Sequence, residues 1–309
     1  MTAIYFDSAI SDDDRRQRLY AGDLFIYSPK PSFQALCDHA REMIEAAFGD
    51  LDPRTAQHHL AVEDYVAIAA PLKPRFIHHP RTKLLIQNIL AELGCDADKT
   101  YLDVPRLRMS TSDRYLTSGV GYALHPHRDT WYAAPMCQIN WWLPIYDFNS
   151  ESSVAFHPNY WNRPVRNSSG DFNYYEWNTY GRKQAAQHIK QDTRKQPCAE
   201  ERLDLEMQTR LVCPAGGAIL FSSAHLHSTV PNTSGLTRYS IDFRTVHWDE
   251  IVTQTGAPNL DTVHRNTVLR DFMRSSDLAR FPAEVVALYE KEPPESHLTV
   301  VFQPEDVVA

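Results

Sequence analysis

The chain has 309 residues, 43% hydrophobic and 23% charged, which is the balance of a globular protein. Its formal net charge of −8 sets an acidic field that disfavours non-specific binding to nucleic acid or to anionic membrane. No apolar run approaches the ~20 residues a membrane helix needs, and the start MTAIYFDSAISDDDRRQRLYAG lacks the layout of a secretion signal, so a cytoplasmic protein is expected.

The N-terminal part, 1–100, reads as mixed, mostly helical. In SPKPSFQALCDHAREMIEAAFG, the residues Phe33, Leu36, Cys37, Ala40, Met43, Ile44 and Ala47 recur at three- and four-residue steps and mark one helix face. Pro31 at the first turn and Gly49 just past the end bound that helix. PRTKLLIQNILAELGCD repeats the pattern with Leu84, Leu85, Ile89 and Leu93, and stops at Gly94.

From Tyr101 the texture changes. YLDVPRLRMS, GVGYALHPHRD, MCQINWWLPIY, SSVAFHP, TRLVCPAGGAILFSSAHLHSTV and TRYSIDFRTVHW are short, aromatic or β-branched, and bounded by Pro, Gly, Asn and Ser. They read as antiparallel strands of a sandwich or barrel over 101–250. An aromatic and polar insertion, 158–205, interrupts them and turns helix-like in YYEWNTYGRKQAAQHIKQ. A loop this long within a compact β domain is usually functional. The tail 251–309, with TVLRDFMRSSDLARFPAEVVALYEKEPP, reads as helical again. No linker separates two cores, so 1–309 is expected to be one domain. The five cysteines are odd in number, widely spaced and without CxxC, and are expected to be buried reduced thiols.

Of the 14 histidines, those in HPHRDTW (His125–Trp131) differ from the rest, because alternation on a strand makes side chains converge. Two metal readings fit. One takes His125, His127 and Asp129 as HxHxD, a zinc-hydrolase arrangement similar to metallo-β-lactamase-type enzymes, with Thr130 where a further His normally stands. The other takes only His127 and Asp129, completed by a distant His; two imidazoles and a carboxylate on one face of an octahedron suit non-haem Fe(II). His227, a hundred residues after His127, offers that ligand, and Arg238 follows eleven residues later, beyond the turn-rich PNTSG.

HxD followed by GGAILFSSAHLHSTVPNTSGLTRYSI resembles the Fe(II)/2-oxoglutarate-dependent oxygenases, nearest to their phytanoyl-CoA-hydroxylase-like branch. Gly216 and Gly217 lead the strand, HSTVPN supplies His227, Ser228 and Asn232, and Arg238 falls in place. The branch's Asp after the leading Gly is absent, and AFHPNYW stands for its PGSH. The resemblance covers roughly 100–250. It implies a double-stranded β-helix, a cupin-like jelly roll buttressed by the N- and C-terminal helices.

The resemblance further implies Fe(II) held by His127, Asp129 and His227, and 2-oxoglutarate and O2 as co-substrates. Arg238 would anchor the distal carboxylate of 2-oxoglutarate, since an arginine fork matches a carboxylate. Arg244, six residues on and on the same strand face, competes for that role, and Thr229 would add a hydroxyl. The family's chemistry releases succinate and CO2 and hydroxylates, desaturates or cyclises a substrate; a carboxylate at position 129 favours hydroxylation over halogenation. His125 and His225 are expected to be neighbours of the site rather than ligands. For the substrate, a small polar or anionic metabolite or natural-product intermediate, the candidates are Trp131, Gln138, Asn140, Arg106 and Arg128. A non-catalytic jelly-roll binding protein is the remaining alternative.

Overall fold

The computed structural model describes residues 2–117, 119–121, 125–184 and 192–303. Among these the strands are β1 (Ile4–Phe6), β2 (Leu24–Tyr27), β3 (Thr100–Leu102), β4 (Arg106–Ser110), β5 (Ile139–Pro144), β6 (Val154–Phe156), β7 (Thr209–Leu211), β8 (Ala218–Ser222), β9 (His227–Thr229), β10 (Arg238–His247) and β11 (Met273–Arg274). The larger sheet runs β1-β2-β8-β5-β10-β3-β11, with β4 also on β10. Apart from the parallel β1–β2 pair, its neighbours are antiparallel. The smaller sheet runs β7-β6-β9. The two sheets face each other as the halves of a jelly roll.

Period-two alternation assigns each face its task. Phe25 and Tyr27 of β2, Leu107 and Met109 of β4, Trp141 and Leu143 of β5, Leu220 of β8, and Tyr239, Ile241 and Phe243 of β10 all enter one core. The same core takes in helices α1 (Asp12–Tyr20), α2 (Pro31–Phe48), α3 (Val62–Ala69), α4 (Leu72–His78) and α5 (Pro80–Glu92), which cover the outer side of the larger sheet. The inner side divides in two. Towards β2 and β8 it is apolar: Leu24, Ile26, Trp142, Ile219 and Phe221 pack on Val154, Phe156, Leu211 and Cys213. Towards β4 and β10 it is charged, with Arg106, Arg108, Arg238, Ser240, Asp242 and Arg244. Gly216 takes a φ of +76° in the turn before β8, and a Cβ on Gly217 would stand 2.7 Å from the Tyr27 carbonyl oxygen, so both glycines are needed to bring β8 against β2.

Three sequence expectations are corrected. The helical N-terminal part also supplies two strands; LFIY at β2 is too short a run to separate strand from helix by period, and its pairing with β8 decides the matter. The tail is mostly not helical among the described residues: β11 joins β3, and the helical pieces are the end of Trp248–Thr253, a 3-10 turn at Leu269–Asp271 and a short helix at Ala283–Ala287. Its apolar residues are used by packing instead, as where Phe281 stacks on Tyr101 at 3.8 Å. In the insertion, a single turn at Tyr174–Glu176 runs into a π-helical turn at Trp177–Gly181, and 185–191 of the expected helix lie outside the described residues. All five cysteines are free thiols; Cys37, Cys137 and Cys213 are buried, whereas Cys198 is exposed. No helix among the described residues is long and apolar enough to cross a membrane.

Candidate metal centre

His127, Asp129 and His227 come together at the mouth of the jelly roll, all buried, with one ligand atom of each within 4.8 Å of the others. The local backbone differs from the expected strand. His127 forms an isolated antiparallel bridge with His227, at the start of β9, and Asp129 opens a short 3-10 turn, Asp129–Tyr132. The bridge fixes the imidazoles side by side, ring centroids 4.3 Å apart, and the turn swings the carboxylate beneath them. Asp129 Oδ1 lies 3.3 Å from His127 Nε2 and 3.9 Å from His227 Nε2. Cis ligands of an octahedral ion bound at about 2.1 Å stand roughly 3 Å apart, so a small closure around an ion suffices.

Hydrogen bonds select the tautomers. His127 Nδ1 donates to the His125 carbonyl oxygen at 2.8 Å, and His227 Nδ1 donates to the His225 carbonyl oxygen at 2.9 Å. Each Nε2 therefore carries its lone pair toward Asp129, the state a metal requires. Burial and the nearby His127 push the His227 imidazole down to about 3, which keeps it neutral at ordinary pH. The carboxylate is held as well. Burial alone would raise its pKa, but Arg244, His127 and His227 outweigh it and hold Asp129 well below the usual carboxylate range. Asn140 Nδ2 donates to Asp129 Oδ2 at 2.9 Å, and Gln138 Nε2 donates to Asn140 Oδ1 at 3.0 Å. That leaves Oδ1 turned to the histidines.

The two arginines of β10 have different surroundings. Arg244 is enclosed by acid: Nη1 lies 3.3 Å from Asp103, Nη2 3.6 Å from both Asp129 and Asp242, and its backbone N–H donates to Asp103 Oδ1 at 2.7 Å. Arg238 is buried above the Trp142 ring, 5.2 Å from its centroid, and its Nε and Nη1 have no hydrogen-bond partner among the described residues. Burial pushes its pKa down to about 10. A cavity of about 70 Å³ lies between Arg238 and the triad, lined also by Thr229, Asn140 and Ser240. A second cavity, about 230 Å³, opens from the other side of the triad toward Lys73, Tyr132, Phe172 and Trp177. Arg108, His127, Asp129 and Arg244 line both.

Gln138 and Arg106 line the larger cavity, while Asn140 lines the smaller. Two substrate candidates are corrected. Trp131 is fully buried with its indole N–H donating to Asp261 at 2.8 Å, and Arg128 bonds Asp261 and the carbonyl oxygens of Ala224, Tyr160 and Arg163. Neither lines a described cavity; the turn that aims Asp129 inward aims its neighbours into the insertion. His125 also turns away, its Nε2 donating to the Pro197 carbonyl oxygen at 2.9 Å, and His225 Nε2 bonds the Gly22 carbonyl oxygen at 2.9 Å. The three-ligand HxHxD geometry is therefore not formed. Lys73, Arg182 and Arg194 in the larger cavity carry no local motif and are not legible in the sequence.

Outlying histidines give the fold its acid limit. Burial pushes His157 and His264 down to about 4. Their folded pKa values lie below the unfolded value near 6.5, so the unfolded chain binds more protons as pH falls. The stability they support is fully present above about pH 6.5 and is lost progressively down to about pH 4. Urea unfolding at pH 5 should give a lower unfolding free energy than at pH 7, by about 1–2 kcal/mol for each histidine. His264→Gln should flatten that slope.

No family model matches the chain, and no curated protein matches it. Among solved structures it is similar to EvdO2 from Micromonospora carbonacea var. aurantiaca, at 13% identity and a TM-score of 0.46 over 79% of this chain and 94% of that one. AviO1 from Streptomyces viridochromogenes Tue57 gives 14%, 0.38, 77% and 96%. SnoN, a non-heme alpha ketoglutarate dependent epimerase from nogalamycin biosynthesis, gives 13%, 0.38, 76% and 84%.

Proposed function

We propose that the chain is a non-haem Fe(II)- and 2-oxoglutarate-dependent dioxygenase that hydroxylates, desaturates or cyclises a small polar or anionic metabolite, releasing succinate and CO2. The observation that carries this reading is the buried His127–Asp129–His227 triad facing Arg238 across a cavity. The donor set fits the ion: two imidazoles and one carboxylate would bind one face of an octahedron and leave three positions for other ligands. The cavity fits the co-substrate. A buried guanidinium with two unpartnered nitrogens is costly unless an anion completes it. Arg238 would take the distal carboxylate of 2-oxoglutarate, with Thr229 beside it.

When bound, iron would let O2 oxidise both 2-oxoglutarate, to succinate and CO2, and a substrate C–H bond. The chain's own residues do the positioning. Asn140 and Arg244 fix Asp129 Oδ2, so the carboxylate presents one oxygen. The carbonyl oxygens of His125 and His225 fix both imidazoles, and Trp142 and Phe221 exclude water beneath the smaller cavity. The protein loaded with Fe(II) under argon should consume 2-oxoglutarate and form succinate on exposure to oxygen, slowly without substrate. Zinc-dependent ester or amide hydrolysis without succinate would instead favour a hydrolase.

A further inference from the structure

The larger cavity is unevenly charged. Six cationic side chains line it, Lys73, Arg106, Arg108, Arg182, Arg194 and Arg244, against two carboxylates, Asp103 and Asp129. Both carboxylates are committed: Asp129 belongs to the triad, and Asp103 holds Arg106 at 2.6 Å and Arg244 at 3.3 Å. Arg108 is drawn to Asp242, Nε to Oδ1 at 2.5 Å, and Arg194 is braced by Asp192 at 2.5 Å and by Trp177, 4.7 Å from the ring centroid. Lys73, on α4 where it crosses β4, donates to a neutral acceptor, the Val120 carbonyl oxygen, at 2.8 Å.

A solvated cationic face would leave these groups in water, but the Arg194 side chain is 7% exposed. Burial, with Arg108 and Arg194 nearby, pushes the Lys73 ammonium down to about 7. Like charges gathered in a half-closed space repel one another, and an oxyanion among them would relieve that repulsion.

Resting on the dioxygenase reading, we propose that the larger cavity binds its substrate by an oxyanion group, a carboxylate, phosphate or sulfate. That group sits between Lys73, Arg108 and Arg194, with the flat or apolar body against Phe172 and Trp177. Arginine forks and a lysine point charge serve all three head groups, and aromatic walls with a few convergent polar groups suit a small organic molecule. Lys73 and Arg194 line only the larger cavity and Arg238 only the smaller, so the two anion sites are distinct, with Arg108 lining both.

The test is a ligand-observed NMR titration of the full chain, without metal and then with Fe(II) and 2-oxoglutarate under argon. The probes are phenyl phosphate, phenyl sulfate and phenylacetate, with benzyl alcohol as the neutral control. At least one anion should bind saturably and the alcohol at least tenfold more weakly; the tightest names the head group. Lys73→Met and Arg194→Gln should each weaken that anion at least tenfold, Lys73→Arg should restore it, and Arg238→Leu should leave it within twofold. Unchanged melting temperatures show that the variants fold. Equal binding of the alcohol, no saturable anion binding, or loss confined to Arg238→Leu would overturn the proposal. If the dioxygenase reading alone fails, metal-free anion binding and its dependence on Lys73 persist while succinate formation does not appear.

Discussion

His227→Ala should abolish both metal binding and turnover while leaving the jelly roll intact. The wild-type protein at a metal concentration a hundredfold above its Kd gains about 2.7 kcal/mol of stability, because only the folded chain assembles the site. Removing His227 leaves His127 and Asp129, two ligands on one short segment, and the metal-linked rise in melting temperature should vanish. Succinate formation should fall by at least about a thousandfold, the scale expected when a metal's positioning is lost. His125→Ala supplies the contrast. Its ring is held by the Pro197 carbonyl oxygen, and the atom that orients His127 is the His125 backbone carbonyl, which the substitution keeps. Metal affinity should stay within a few-fold. If instead His125→Ala lost the metal and His227→Ala kept it, the HxHxD arrangement would be the true site and the iron reading would fail.

How much of this centre the sequence discloses follows from what local pattern can carry. His127 and His227 are legible because each sits in a short segment bounded by turns, and because Arg238 follows at a fixed interval on the next strand. The alternation on β10 is equally legible: Arg238, Ser240, Asp242 and Arg244 share a face while Tyr239, Ile241 and Phe243 share the other. What alternation cannot give is the partner across the sheet. That Arg244 faces three carboxylates depends on Asp103 lying beside the end of β10, a contact spanning more than a hundred residues. The 3-10 turn at Asp129 is also hidden, since HPHRD reads equally well as strand, and that turn decides which of Asp129, Trp131 and Arg128 face the cavity. The cations Lys73, Arg182 and Arg194 come from a helix and an insertion that no period relates to the core. The strand-rich middle is visible because its segments are aromatic or β-branched and bounded by turn residues, although the partners themselves, β5 with β8 and β10 or β6 with β9, lie far apart in the chain; β1 and β2 lack that setting, being short runs among helices, and only the pairing of β2 with β8 reveals them.

Arg238→Leu should cost co-substrate binding without costing the fold, whereas Arg244→Leu should chiefly cost the fold. Arg238 has no ion pair within 4 Å among the described residues, and two of its guanidinium nitrogens lack partners. Its burial is a net expense to the unliganded protein, so an isosteric apolar replacement should leave the unfolding midpoint unchanged or raise it. The affinity for 2-oxoglutarate should drop about a hundredfold, since a charge-assisted contact contributes about 1.5–3 kcal/mol. Arg238→Lys should recover only part of it, because an ammonium cannot match both carboxylate oxygens. Arg244 neutralises Asp103, Asp129 and Asp242 together, and its loss would leave buried carboxylates uncompensated. Removing one partner of such a network destabilises by about 3–5 kcal/mol. Isothermal titration of 2-oxoglutarate into the Mn(II)-loaded variants, alongside urea unfolding of the metal-free ones, separates the two roles. A folded, stable Arg244→Leu protein that had lost 2-oxoglutarate binding, beside an Arg238→Leu protein that kept it, would transfer the anchor to Arg244. The cavity between Arg238 and the triad would then need another occupant.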